Sequence, residues 1–146
     1  MTKQPVIYVD TSVWVAMHAR EARTAQLQDW LEQKELTRLC CSEWVKTEYA
    51  SVLSIKRRRG DLSEEAFAGA HHAFAQLCIA GPVWIDVETH DFLTAAGYCA
   101  DPDAGLRARE GLHLAVAVRT RCEALFSLDD LMNQNAKRLG LRVIEL

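Results

Sequence analysis

Short, continuously apolar runs alternate along the chain with longer stretches in which apolar residues recur every three or four positions. The first pattern predicts strands buried on both faces, the second amphipathic helices. "PVIYV" (5–9), bounded by Pro5 and Asp10, is the first run; "RLCC" (38–41), "VWIDV" (83–87), "ALFSL" (124–128) and "LRVIEL" (141–146) follow. Residues 12–18 and about 24–35 predict a helical region broken near "HAREAR". "EWVKTEYASVLSIKRR" predicts a helix with Trp44, Val45, Tyr49, Val52 and Leu53 on its apolar side, Ser42 as N-cap, and a stop at its basic last turn and Gly60. Ser63, followed by Glu64 and Glu65, opens another over "DLSEEAFAGAHHAFAQLC". Helices are also predicted over "THDFLTAAGYCA", 106–122 and "DDLMNQNAKRLG", with a turn at "DPDAG" (101–105). Strands alternating with helices predict an α/β sandwich: a mainly parallel five-stranded sheet flanked by helices, in one domain over 1–146.

Composition narrows the class. With 49% hydrophobic and 25% charged residues the 146-residue chain fits a globular domain and excludes a disordered one. The N-terminus "MTKQPVIYVD" lacks the apolar run and small-residue cleavage site of a secretory signal, and no run reaches membrane-spanning length. Five cysteines without a CxxC pair predict reduced thiols and a cytoplasmic setting. A net charge of −3 argues against a protein that coats nucleic acid non-specifically, leaving room for a local basic patch.

In parallel sheets the carboxyl ends of the strands face a common crevice where ligands bind. Asp10 stands at one such end and Asp129 at another, with the hydroxyl of Ser127 two residues before it. Glu48 lies four residues from both Trp44 and Val52, and Glu110 four from both Leu106 and Leu114, so each interrupts an otherwise apolar helical stripe. Carboxylates in such stripes suit a shared acidic pocket.

Four segments carry a resemblance: "YVDTSVWVA", "SEWVKTEYASVL", "GLRAREGLHLAVAV" and "LFSLDDLMNQNAKRLGLRVI". In this order they resemble the PIN-domain nucleases and, within them, the VapC-type toxins of bacterial toxin–antitoxin modules. The resemblance implies a PIN-like three-layer sandwich and makes Asp10, Glu48, Glu110 and Asp129 the metal-binding acids. It further implies an endoribonuclease, a homodimer and a small antitoxin partner. Glu110 stands where the family usually has Asp, and Ser127 where it has Thr, which keeps open a catalytically impaired RNA- or protein-binding module. An all-oxygen ligand set suits Mg²⁺ or Mn²⁺ rather than Zn²⁺. Such an ion equips hydrolysis of an RNA phosphodiester.

Plainer readings exist for each residue. Asp10 and Asp129 are also N-cap candidates, and Glu48 and Glu110 could pair with Lys46, Arg107 or Arg109. Asp130 suits the start of its helix, or assists Asp129. His113, between Leu112 and Leu114, reads as a core histidine within reach of Glu110, and His71 and His72 as structural or surface residues. Asp86, Asp91, Asp101 and Asp103 read as strand-edge or turn acids. Arg57 and Arg58 in "KRRRG" suit a helix C-terminus or RNA phosphates. Trp14, Met17, Trp30 and Trp44 read as core, or as an antitoxin groove. A nucleotide-binding α/β protein is a weaker reading, since neither GxGxxG nor GxxxxGK occurs.

Overall fold

A computed structural model of the chain describes residues 5–146; residues 1–4, on which the absence of a secretory signal partly rests, lie outside them. Five strands, β1 (Ile7–Val9), β2 (Leu39–Ser42), β3 (Val83–Ile85), β4 (Ala124–Phe126) and β5 (Arg142–Val143), form one sheet in the order β3-β2-β1-β4-β5. Every pairing is parallel. β1 is central, with Tyr8 opposite Cys40 on one side and Leu125 on the other.

Alternation along the strands feeds two cores. Ile7, Val9, Cys41, Ala124 and Phe126 join one; Tyr8, Cys40 and Leu125 join the other. The first is covered by α1 (Thr11–His18), α2 (Thr24–Glu32), α3 (Trp44–Arg58) and α4 (Glu64–Ala80), which contribute Trp14, Leu27, Tyr49 and Phe74. Trp14, Met17 and Trp30 are therefore core residues, whereas Trp44 is about one-third exposed. α6 (Ala108–Arg119) and α7 (Asp130–Arg138) cover the second face, and α5 (Thr89–Ala100) packs on α6. This is the three-layer α/β sandwich that the alternation of strands and helices predicts. No helix among the described residues is long and apolar enough to cross a membrane.

Local chemistry explains where elements stop. The helical region from 12 breaks as predicted, at Arg20 with φ 53°, and α3 ends before Gly60 with φ 82°. Ser63 caps α4 by accepting from Ala66 N at 3.0 Å. Ser42, in contrast, does not cap α3: it belongs to β2, its hydroxyl is buried without a hydrogen-bond partner, and Glu43 takes the cap position. β4 and β5 are shorter than the apolar runs that predict them. Pairing with β1 ends at Phe126, where Asp10 N–H donates to the Phe126 carbonyl at 2.8 Å.

α5 and α6 meet closely. A Cβ on Gly111 would lie 2.5 Å from Cys99 Sγ and 3.2 Å from the Ala95 carbonyl oxygen, so the approach depends on glycine. Asp91, expected as a strand-edge or turn acid, lies instead in the first turn of α5 and is 1% exposed. Arg119 of α6 donates to both its oxygens, Nε to Oδ1 at 2.8 Å and Nη2 to Oδ2 at 2.9 Å, and Glu88 N–H adds a third bond at 2.8 Å. Periodicity cannot announce such a pair, because Arg119 is remote in sequence. Burial pushes the Asp91 pKa up, but these three bonds outweigh it and hold it below the ordinary carboxylate value.

A carboxylate whose folded-state pKa is depressed contributes stability above its unfolded value, about 3.9, and loses it as pH falls through the folded value. Asp91→Ala should therefore lower stability by about 2 kcal/mol at pH 7. Chemical denaturation at pH 7 and again well below pH 3 checks this: the difference between wild type and variant should shrink in acid.

Candidate metal and acid-cluster site

Asp10 and the loop after β4 lie where the strand order reverses about β1, outside the carboxyl ends of the strands. Asp10 occupies the N-cap position of α1 but makes no side-chain cap bond. Its Oδ2 instead accepts from Ser12 Oγ at 2.7 Å and Ser127 Oγ at 2.9 Å, and the residue is 7% exposed. The capping reading thus fails for Asp10. For Asp129 it holds: Oδ1 accepts from Met132 N at 2.9 Å, and Ser127 Oγ accepts from Asp129 N–H at 3.0 Å. Ser127 links these two aspartates directly. Asp130 is exposed in the first turn of α7, where its charge favours the helix start.

α3 brings Glu48 to the same place, 7% exposed, with Oε1 accepting from Thr11 Oγ1 at 2.8 Å. Lys46 turns away to Glu43 at 2.7 Å. Asp10, Glu48 and His113 each bring one ligand atom within 4.8 Å of the others. Glu110 is equally buried, yet its Oε1 bonds to Arg109 Nε at 3.0 Å, while Arg109 Nη1 stands 3.7 Å from Glu48 Oε2. The structure therefore clusters Asp10 and Glu48, sets Glu110 beside them across Arg109, and joins Asp129 through Ser127.

His113 does more than fill the core. Ser42 N–H donates to the Tyr8 hydroxyl at 3.2 Å, Tyr8 Oη lies 2.7 Å from His113 Nδ1, and His113 Nε2 bonds to Glu48 Oε1. Burial pushes the Tyr8 pKa well above its ordinary value, so the phenol keeps its proton. Tyr8 then donates to Nδ1 of a neutral imidazole, which places the ring proton on Nε2, facing Glu48. Burial also disfavours the imidazolium, but the Glu48 bond and the charge of Asp10 outweigh it and raise the His113 pKa. In either protonation state Nε2 is a donor. His113 thereby orients Glu48 from the core side of the pocket. The sequence signal was the spacing of His113 three residues after Glu110; the partner Tyr8, on another element, gave none.

Two carboxylates within 4.8 Å repel by about 3 kcal/mol at an effective dielectric near 20. Arg109 offsets part of this, with its side chain 52% exposed. Glu48 Oε2 and Glu110 Oε2 remain buried without a hydrogen-bond partner. Buried acceptors of this kind, with a hard oxygen donor set, fit a divalent cation such as Mg²⁺ or Mn²⁺.

Tyr8→Phe isolates the supporting chain. It keeps the ring but leaves His113 Nδ1 and the Ser42 N–H without their partner, so stability should fall by about 1–3 kcal/mol. Equilibrium urea denaturation measures it; an unchanged midpoint would mean the hydroxyl carries no such bond.

Comparison with known proteins supplies the family. The PIN domain profile matches residues 7–138. No curated protein matches the chain in sequence. Among solved structures, the chain is similar to VapC20 from Mycobacterium tuberculosis, a sarcin-ricin loop cleaving toxin, at 21% identity and a TM-score of 0.69, covering 88% of this chain and 94% of that one. FitAcB from Neisseria gonorrhoeae matches at 15% identity and 0.69, covering 96% and 97%. VapBC2 from Rickettsia felis, bound to a DNA fragment from their promoter, matches at 14% and 0.63, covering 95% and 97%. These likenesses are of fold. With the profile spanning nearly all of the sandwich and the acids gathered at its strand ends, the chain belongs to the PIN domain family.

Proposed function

We propose that the chain is a metal-dependent endoribonuclease that hydrolyses RNA phosphodiester bonds as the toxin of a VapC-type toxin–antitoxin pair, folded as one PIN domain over 1–146 and acting in the cytoplasm. The observation that carries this reading is the buried pair Asp10 and Glu48, oriented by Ser12, Ser127, Thr11 and His113. Four oriented contacts on two carboxylates preorganise them for a ligand more highly charged than Arg109 supplies.

In this reading Asp10 and Glu48 hold Mg²⁺, or Mn²⁺, with Glu110 and Asp129 completing the acid set and Ser127 and Asp130 in support. A bound divalent ion would polarise a phosphoryl oxygen and lower the pKa of a coordinated water. The chain's own task is to fix the acids. Ser12 and Ser127 fill one face of Asp10, leaving Oδ1 toward the pocket, while Thr11 and His113 hold Oε1 of Glu48. RNA is proposed as substrate from the motif resemblance and from the cleaving activity of VapC20. The antitoxin and the homodimer are proposed on the same resemblance. An apolar groove of about 320 Å³ between Trp44, Phe92 and Leu112, with Phe92 and Leu93 exposed, supports a protein contact there.

The contact between Glu110 and Arg109 favours a second reading, an impaired PIN module that binds RNA without cutting it. Gel assays on total RNA decide between them. Wild type should cleave only with Mg²⁺ or Mn²⁺, and Asp10→Asn, folded by circular dichroism, should lose about 100-fold or more of that activity. Cleavage by Asp10→Asn at the wild-type rate would remove the site, and binding without cleavage by wild type would leave the impaired module.

A further inference from the structure

A groove of about 700 Å³ runs between the start of α1, the later half of α3 and the start of α6. Thr11 and Ser12 line it, and their hydroxyls hold Glu48 and Asp10, so the groove opens against the wall of the acid pocket. Four cations face it: Lys56, Arg59, Arg107 and Arg109. Two acids, Glu21 and Asp61, face it as well, and Glu21 is occupied by Lys56 at 2.8 Å. Arg59 and Arg107 are exposed and have no ion-pair partner among the described residues. On a chain of net charge −3, two exposed arginines without an ion-pair partner among the described residues, facing one groove beside the acid pocket, suit an anionic ligand.

Arg109 is the innermost of the four. It turns Nε to Glu110 and Nη1 toward Glu48, while Nη2 has no hydrogen-bond partner among the described residues. A guanidinium with a free edge, half exposed and next to the acids, is suited to phosphate oxygens. Arg57 and Arg58, which sequence alone offers as phosphate contacts, do not line the groove. Arg57 Nη1 reaches the Leu62 carbonyl at 3.4 Å and Arg58 Nη1 bonds to Ser54 Oγ at 2.7 Å.

We infer that this groove carries the phosphodiester backbone of a single RNA strand, with Arg59 and Arg107 holding flanking phosphates and Arg109 positioning the one beside Asp10 and Glu48. The inference rests on the nuclease reading above for the choice of RNA, since an anionic strand lying in the groove runs directly onto the acid pocket.

Two arginine pairs, Arg59 with Arg107 in the groove and Arg57 with Arg58 outside it, allow a charge-matched test. Binding of a fluorescein-labelled single-stranded RNA is followed by anisotropy across a salt series, with chelator present so that no strand is cut. Arg59→Glu with Arg107→Glu should weaken binding by about tenfold or more and lower the salt slope by about 1–2. Arg57→Glu with Arg58→Glu changes net charge identically and should have a much smaller effect. Equal losses in the two double variants would reduce the groove to bulk electrostatics and overturn the inference, as would failure of wild type to bind. Unchanged RNA binding with lost affinity for poly-glutamate would make this an acidic-polypeptide surface instead. Arg109→Gln should also lower the slope by about one and, in cleavage assays, raise KM, with Arg109→Lys recovering part. Unchanged binding and KM in Arg109→Gln would remove its positioning role. Because binding is read without metal, absence of cleavage by wild type would sink the nuclease reading while leaving the groove to stand or fall on anisotropy.

Discussion

Everything around the site answers one electrostatic constraint: two carboxylates, Asp10 and Glu48, are buried within a few ångströms of each other, and among the described residues their nearby permanent counter-charge is a half-exposed arginine. Such an arrangement opposes folding unless the oxygens are hydrogen-bonded, oriented and ready for a cation. The parallel sheet supplies the place. Strand ends converge at the reversal about β1, which puts Asp10 and Ser127 side by side from segments far apart in the chain. α1 then adds Ser12 and Thr11 at no extra length, because the helix begins at the residue after Asp10.

The sheet also reaches the acids through its interior. Tyr8 points into the α6 side of the sandwich, ties the end of β2 to His113, and through His113 fixes Glu48 on the opposite layer. The polar chain from Ser42 N–H to Glu48 crosses what is otherwise apolar packing. α6 supplies Arg109, Glu110 and His113 within five residues, and its position depends on Gly111 against α5 and on the Arg119–Asp91 pair at its far end. Packing between α5 and α6 is thus part of how the site is held.

Sequence alone revealed what depends on local pattern. Continuous apolar runs marked the five strands, and an acid after "PVIYV" or inside the stripe of "WVKTEYASVL" marked Asp10 and Glu48 as costly to bury. Pattern could not decide what contact decides. Asp10 and Asp129 carry the same strand-end signature, yet one caps its helix and the other does not. Ser42 looked like a cap because serine precedes a helical run, but the strand continues through it. Asp91 looked like a strand-edge or turn acid because its partner Arg119 lies 28 residues further on, in the last turn of the next helix, α6. Among "KRRRG", helical phase settles which bases face the groove: Lys56 and Arg59 are three apart and share it, while Arg57 and Arg58 turn aside.

The central claim is that Asp10 and Glu48 form a divalent-cation site, and titration calorimetry with Mn²⁺ on wild type and Glu48→Gln tests it most directly. The account predicts saturable binding by wild type and an affinity lower by roughly tenfold or more in the variant, both proteins being folded. Equal affinities, or no binding by wild type at millimolar Mn²⁺, would contradict it.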